Sequence, residues 1–178
     1  LALAPVAIVV LVLYSYGKRF TDVPQALLAL AQFVAPVGAW IGVTGHASWA
    51  ATALGIAVGT WIGGFDLIYS CQDAEIDRQI GSRSFPARFG IPAALRTSSG
   101  VHVVTVAAFA WFGAAAGLGA VWWVGVAATA AVLVYEHAIV RADDLTRVNR
   151  AFFTANGVIG IGLFVFALAD LLGQGLRG

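Results

Sequence analysis

The chain has 178 residues, of which 60% are hydrophobic and only 11% are charged. Soluble domains carry about 25% charged residues, so this composition indicates an integral membrane protein with lipid around most of its surface. The net charge of +1 gives no overall field that would attract nucleic acid, and the single cysteine, Cys71, excludes an internal disulfide and a Cys-x-x-Cys metal site.

Six apolar segments follow one another along the chain, each close to the roughly 20 residues that a helix needs to cross a bilayer. They cover residues 1–16, 25–43, 50–70, 94–115, 118–139 and 152–173. The first has neither the basic start nor the cleavage site of a signal peptide, so we predict a transmembrane helix there. The sequence therefore predicts an all-α, polytopic transmembrane helix bundle of six helices, with residues 1–178 as a single integral-membrane domain.

The basic residues are distributed unequally between the two sides of this bundle. Nine of the ten follow the first, third or fifth segment: Lys18, Arg19, Arg78, Arg83, Arg88, Arg96, Arg141, Arg147 and Arg150. Only Arg177 falls on the other side. The positive-inside rule makes the basic side cytoplasmic, so we expect a multi-pass protein of the inner (plasma) membrane. Leu1 would then start outside, and three preceding helices would place a longer chain's N-terminus in the cytoplasm.

Three glycines recur every four residues in the third segment, at Gly55, Gly59 and Gly63. Small residues at this spacing let a neighbouring helix approach closely. We therefore expect tight helix packing along this stripe, and we expect N-terminal helices supplied as a separate chain to associate through it.

The third segment ends in an acidic stretch that contains Asp66, Tyr69, Asp73 and Asp77. In a continuous α-helix at 100° per residue, these four side chains fall within roughly 80° on one face. Like charges at this spacing repel, and carboxylates beside a membrane are costly unless cations neutralise them. Carboxylate oxygens suit Mg²⁺, which also bridges to phosphate. We therefore predict Asp73 and Asp77 as Mg²⁺ ligands, whereas Glu75 points elsewhere as ordinary surface charge.

Basic side chains surround the acidic stretch, with Lys18 and Arg19 on the first connection and Arg83 and Arg88 on the loop after the aspartates. Tyr14 lies one turn before Lys18, so both share a helix face. Alone, this pair would be an ordinary interfacial Tyr and snorkelling Lys. Beside the aspartates, Lys18 can contact a phosphate and Tyr14 can donate a hydrogen bond. The combination predicts a site for a diphosphate whose tail lies in the membrane.

Other polar residues give weaker signals. His102 stands in an apolar segment without a His, Cys or carboxylate at ligand spacing, so we expect a packing role. The polar residues from Glu136 to Arg150 are expected to form salt bridges with one another in a cytoplasmic connector.

Several motifs resemble the UbiA superfamily of prenyltransferases. The D-x-x-Y-x-x-x-D-x-x-x-D pattern from Asp66 to Asp77, with the segment 84–90 after it, resembles the family's second aspartate-rich motif. The segment 14–21 is similar to its Y-x-x-x-K motif, and the segments 135–137 and 144–157 also agree. The resemblance covers nearly the whole chain. It is strongest to the 4-hydroxybenzoate polyprenyltransferase branch, including the prenyltransferases of futalosine-type menaquinone synthesis.

The resemblance implies a nine-helix bundle, of which this chain would supply helices four to nine, with a site open to the cytoplasm and to lipid. The family's first aspartate-rich motif, N-D-x-x-D-x-x-x-D, is absent, so we expect a C-terminal fragment that does not prenylate alone. The implied reaction transfers a polyprenyl group, with Mg²⁺, from polyprenyl diphosphate to an aromatic acid. That acid would be 4-hydroxybenzoate or a dihydroxynaphthoate, in ubiquinone or menaquinone biosynthesis.

The expected site residues take distinct roles in this reaction. The expected catalytic residues are Asp66, Asp73 and Asp77, and the expected substrate-binding residues are Tyr14, Lys18, Arg19, Tyr69, Arg83 and Arg88. Beside the metal pair, Lys18 and Arg83 neutralise the departing diphosphate. Asp66 aligns or deprotonates the phenol, and Arg19 holds the carboxylate of the acceptor.

Two other classes of membrane protein have acidic clusters. A CDP-alcohol phosphatidyltransferase would carry a DG-x₂-AR element before the acidic pair, and this element is absent. A transporter or a non-catalytic assembly subunit is the remaining alternative. Transporters place charge near the middle of the bilayer, whereas these carboxylates cluster at one end of the helices. Nothing in the sequence indicates an oligomeric state.

Overall fold

The computed structural model describes residues 4–175. The regular secondary structure of these residues is helical, apart from one isolated β-bridge between Arg141 and Asp144. The helices form a bundle. The helices are α1 (Ala4–Tyr16), α2 (Pro24–Thr44), α3 (Trp49–Tyr69), α4 (Ala74–Ile80), α5 (Phe85–Phe89), α6 (Ile91–Ala115), α7 (Ala120–Ile139) and α8 (Val148–Gly175). Short 3₁₀ turns follow α1 and α3, at Gly17–Arg19 and Ser70–Asp73. The predicted all-α bundle is confirmed.

Five segments of the described chain are long and apolar enough to cross a membrane. They are α2, α6, α7, α8 and the composite segment Trp49–Ile80, which runs through α3 and α4. The remaining predicted span contains α1, which has 13 residues. At 1.5 Å per residue this is about 20 Å, against a hydrocarbon core of about 30 Å. The predicted span begins at Leu1, outside the described residues, so its helix is confirmed and its crossing of the membrane stays a prediction.

Contacts between distant connections define one end of the bundle, which we call the charged end. Lys18, after α1, bonds Asp77 in α4, and Gln72 in the 3₁₀ turn bonds Asn149 at the start of α8. The connections that carry most of the basic residues therefore lie together, as the charge pattern predicted. Arg177, the single basic residue predicted on the opposite side, lies outside the described residues.

The glycine stripe of α3 lies against α2. A Cβ atom added to Gly59 would stand 2.5 Å from the carbonyl oxygen of Ala29, and one added to Gly55 would stand 2.7 Å from the ring of Phe33. The close helix packing predicted for this stripe is confirmed. Because α2 already covers it, the expectation that separately supplied helices would associate there is wrong.

At the end of the bundle opposite the charged end, a carboxylate on α8 caps the start of α7. Asp170 accepts hydrogen bonds from the backbone N–H groups of Gly119, Val121 and Trp122 at the start of α7. It thereby satisfies amides that the first turn of a helix leaves without partners. The indole of Trp122 donates to the carbonyl oxygen of Phe109, which joins α7 to α6 in the apolar core.

Candidate functional site at the charged end

The aspartates stand where α3 gives way to α4. The hydroxyl of Ser70 and the thiol of Cys71 both donate to the carbonyl oxygen of Leu67, at 3.0 and 3.3 Å. Such local side-chain bonds compete with the regular helix ladder, and the chain forms the 3₁₀ turn Ser70–Asp73 here.

This turn corrects the prediction of one continuous acidic face. A 3₁₀ turn advances roughly 120° per residue instead of 100°, so the spacing assumed from Asp66 to Asp77 does not hold across it. The two predicted metal ligands consequently differ in environment. Asp77 is 4% exposed, whereas Asp73 is exposed to solvent.

Lys18 and Asp77 form the central contact of the site. The Lys18 ammonium lies 3.2 Å from Oδ1 and 3.1 Å from Oδ2 of Asp77, so it holds both carboxylate oxygens. The Lys18 side chain is 44% exposed, while that of Asp77 is 5% exposed. The cation is therefore open to solvent and the carboxylate is not.

Arg83 fixes the loop after α4 against the connection after α1. Its backbone N–H donates to the carbonyl oxygen of Lys18 at 3.0 Å, and its guanidinium donates to the carbonyl oxygen of Phe20 at 2.9 Å. Gly17 begins this connection and packs so closely on Pro24 that an added Cβ would lie 3.1 Å from the proline Cβ. These contacts bring Lys18 to Asp77 across 59 residues of sequence.

Asp66 lies deeper along α3, on the side of the bundle formed by α1 and α2. Its neighbours there include Lys18, Gln25 and Asp73, and Tyr14 of α1 also lies near it. The amide of Gln25, 4% exposed, donates to the buried Ser70 hydroxyl at 3.2 Å. Gln25 was not predicted as a site residue. Its signal in the sequence is a polar side chain at the start of an apolar segment.

The remaining predicted substrate-binding residues surround this group at greater distance. The ring of Tyr69 lies against that of Phe152, with centroids 4.8 Å apart. The guanidinium of Arg19 lies 5.0 Å from the centre of the Tyr16 ring. Arg88 is exposed at the end of α5 and takes part in no ion pair within residues 4–175. Thus Arg19 and Arg88 are not brought into contact with the aspartates.

The donor set fits a metal ion that is shared with substrate. Within residues 4–175 no three His, Cys, Asp or Glu side chains meet as a possible ligand group. Mg²⁺ is commonly held by one or two carboxylates together with water and substrate phosphate. Asp73 and Asp77 supply carboxylates of that kind, and the Asp77 carboxylate is paired with Lys18 in this structure.

The expectations for other polar residues hold only in part. His102 is buried, as a packing role requires, and its Nδ1 also lies 2.9 Å from Nε2 of His137 on α7. Glu136 belongs to the bundle interior rather than to the connector, since it is 0% exposed. In the connector itself Arg141 pairs with Asp143 at 3.0 Å, and its hydrogen bond holds the pKa of the Asp143 carboxyl below its usual value.

Comparisons with known proteins show the family to which the chain belongs. The model of the UbiA prenyltransferase family matches residues 1–158. The 4-hydroxybenzoate octaprenyltransferase of Alkalilimnicola ehrlichii is 33% identical over 96% of this chain and 58% of its own length. The enzyme of the same name from Burkholderia multivorans is 31% identical over 97% and 60%.

A solved structure shows the same fold. The apo structure of a UbiA homologue from Aeropyrum pernix K1 matches with a TM-score of 0.74 and 30% identity, over 92% of this chain and 62% of the homologue. The chain therefore spans about 60% of the length of these relatives. Because the family model covers most of its residues, the chain belongs to the UbiA prenyltransferase family.

Proposed function

We propose that the chain supplies one half of the active site of a Mg²⁺-dependent aromatic prenyltransferase. The donor is a polyprenyl diphosphate, and the acceptor is 4-hydroxybenzoate or a dihydroxynaphthoate in ubiquinone or menaquinone biosynthesis. The contact between Lys18 and Asp77 carries this proposal, because it joins a solvent-accessible cation to a buried carboxylate at the end of lipid-exposed helices. The names of the relatives support the choice of substrates.

Lys18 is the residue that meets the diphosphate. Its side chain is nearly half exposed, so a phosphate oxygen that approaches from solvent can reach its ammonium. Arg83 adds a second positive charge on the adjoining loop and holds the Lys18 backbone in place. Asp73 and Asp77 would hold Mg²⁺, which when bound neutralises charge on the departing diphosphate.

Asp66 and its neighbours handle the aromatic acceptor in this proposal. The C–O bond between the prenyl group and the diphosphate breaks, and a ring carbon of the acceptor forms the new C–C bond to the allylic carbon. The ring then loses the proton of that carbon to water, which restores its aromaticity. Asp66 lies deeper than Asp73 and near the Tyr14 hydroxyl, so it is placed to align the phenol or accept its proton. Arg19 pairs with the acceptor carboxylate after leaving the Tyr16 ring.

The proposed orientation of the protein in the membrane follows from the distribution of its basic residues. Nine of the ten basic residues lie in or beside the connections that meet at the charged end, and positive residues favour the cytoplasm. We therefore propose an inner-membrane protein whose site faces the cytoplasm.

The test supplies the full-length protein with one polyprenyl diphosphate, Mg²⁺ and each acceptor in turn, and identifies the products by mass. A prenylated acceptor with stoichiometric diphosphate release is expected. Asp73→Ala should abolish this release, and Glu75→Ala is its matched control, because Glu75 lies in the same acidic stretch but pairs with Arg78 on the surface. If no diphosphate is released while a labelled solute crosses reconstituted vesicles, the protein is a transporter. If neither occurs, a non-catalytic subunit is the remaining class.

A further inference from the structure

Two successive glycines of α3, just before the first aspartate, let neighbouring helices reach its backbone from both sides. A Cβ atom added to Gly63 would stand 3.0 Å from the Cβ of Ala29 on α2, and one added to Gly64 would overlap the ring of His102 on α6. Small residues allow this close approach, but they supply no side chain that interlocks with the neighbour. The position of α3 at this level, two residues before Asp66, therefore depends on direct contacts to its backbone.

Two buried polar side chains of α6 make such contacts. The hydroxyl of Ser98, which is 0% exposed, donates to the carbonyl oxygen of Gly64 at 2.7 Å. Nε2 of His102, a residue that is 3% exposed, lies 3.2 Å from the carbonyl oxygen of Trp61. Because a carbonyl oxygen can only accept, this nitrogen carries the proton and donates. Both bonds fix α3 to α6 within five residues of Asp66.

A side chain of α7 holds the His102 ring from its other side. With the proton on Nε2, Nδ1 of neutral His102 is an acceptor, and it lies 2.9 Å from Nε2 of His137. The other ring nitrogen of His137 lies 3.2 Å from the hydroxyl of Ser99. Both nitrogens of His102 are thus engaged, so its ring cannot turn without breaking a buried hydrogen bond, which is costly.

We propose that Ser98 and His102 are positioning residues for Asp66. They act through the backbone of α3, which they hold in place against α6. Asp66 itself lies on the side of α3 that faces α1 and α2, so a displacement of α3 moves its carboxyl relative to Tyr14 and Gln25. The expected effect on the aromatic acceptor rests on the proposed function, in which Asp66 aligns or deprotonates the phenol. The effect on the position of Asp66 does not.

The test replaces His102 by two amides that each keep one of its hydrogen bonds. The side-chain nitrogen of glutamine can take the place of imidazole Nε2, so His102→Gln keeps the donor to Trp61. The shorter asparagine can replace only Nδ1, so His102→Asn loses that donor. Melting temperatures of all variants show which of them fold, and Ser98→Ala tests the same role if His102→Asn does not.

Kinetics of the full-length protein give the first readout. His102→Asn and Ser98→Ala should each lower kcat/KM for the aromatic acceptor by about 10- to 100-fold, since a misplacement of about 1 Å can cost about 100-fold. His102→Gln should recover most of this loss. KM for polyprenyl diphosphate should stay within twofold, because Lys18 is held by contacts to α4 and to the loop after it.

Thr129→Val is the matched control for loss of a buried hydroxyl. Thr129 is 3% exposed, and its hydroxyl donates to the carbonyl oxygen of Gly125 in its own helix, α7. The variant therefore loses a hydrogen bond of the same kind without touching α3. Its acceptor kinetics should equal those of the wild type.

The carboxyl carbon of Asp66 gives a readout that needs no turnover. In protein labelled with ¹³C at its aspartate carboxyls, the nuclear magnetic resonance signal that disappears in Asp66→Asn belongs to Asp66. This signal should shift in His102→Asn and in Ser98→Ala. It should keep its wild-type position in His102→Gln and in Thr129→Val.

Two results would overturn the positioning role. One is an unshifted Asp66 signal in the folded His102→Asn and Ser98→Ala variants. The other is an equal shift in His102→Gln and His102→Asn, which would show that the bond to Trp61 does not hold Asp66 in place. A shifted signal together with a wild type that transfers no prenyl group would reject the proposed function and leave the positioning role standing.

Discussion

Asp77 and Asp170 are equally buried, at 4% exposure, but their partners differ. Asp77 at the charged end is held by the ammonium of Lys18, a side chain that is 44% exposed to solvent. Asp170 at the opposite end is held by three backbone N–H groups of α7 and by the amide of Gln174. The first carboxylate can exchange its partner for another cation, whereas the second cannot do so without opening a helix end.

Burial alone therefore does not separate a carboxylate held by a side chain from one held by backbone N–H groups. A backbone donor is fixed by the helix it belongs to, so a carboxylate that binds several of them joins secondary structures together. A lysine has rotatable bonds and moves at little cost.

Removal of a predicted metal ligand should have the largest effect. In the full-length protein, Asp73→Ala should lower kcat/KM for prenyl transfer by about 10³-fold or more, because charge on the departing diphosphate loses its counter-ion. Asp73 is exposed, so the melting temperature should not change. Steady-state kinetics and thermal unfolding of the same preparation check both statements. Normal turnover in this variant would remove Asp73 from the site.

Removal of the Lys18 ammonium should have a smaller effect, which falls mainly on binding of the prenyl donor. Lys18→Met should raise KM for polyprenyl diphosphate by about 10- to 100-fold, as expected for loss of one charge-assisted contact. KM for the aromatic acceptor should stay within twofold. Lys18→Arg keeps the charge and should recover part of the loss. Equal increases in both KM values would show that Lys18 holds the fold together instead of the diphosphate.

A packing contact without polar groups should change stability alone. Gly59→Ala places a methyl group 2.5 Å from the Ala29 carbonyl oxygen, so α2 and α3 must separate. We expect a loss of about 1–3 kcal/mol in the free energy of unfolding. Gly42→Ala on α2 is the matched control, because nothing lies within 4 Å of its added Cβ. Alanine favours a helix over glycine, so Gly42→Ala should be neutral or slightly stabilising, and an equal loss in both variants would contradict the role of the α2–α3 contact.

The sequence predicted the features that depend on composition and local spacing. Apolar length located the helices, and the placement of basic residues grouped Lys18 with Asp77 at one end, although 59 residues separate them. The glycine spacing of α3 predicted a close helix neighbour. Apolar length and glycine spacing are local patterns. The distribution of basic residues can be counted over the whole chain.

The features that were missed depend on the rotation of one helix against another. His102 and His137 lie 35 residues apart on different helices, and no local pattern shows that their rings face each other. The 3₁₀ turn Ser70–Asp73 arises from side-chain bonds to Leu67, which a regular helical spacing does not include. The sequence assigns Glu136 to a connector because it lies close to the polar residues that follow α7. Helix packing nevertheless buries it.

The most direct test of the contrast compares Asp77→Asn with Asp170→Asn in the full-length protein. Diphosphate release and the melting temperature are measured on both, with activity read well below either transition. We expect Asp77→Asn to lose nearly all Mg²⁺-dependent release and to melt like the wild type, because Lys18 can turn to solvent. Asp170→Asn should melt at a lower temperature and retain release, since an amide replaces the acceptor of several backbone bonds. The reverse assignment, with Asp77→Asn active but unstable, would contradict the account.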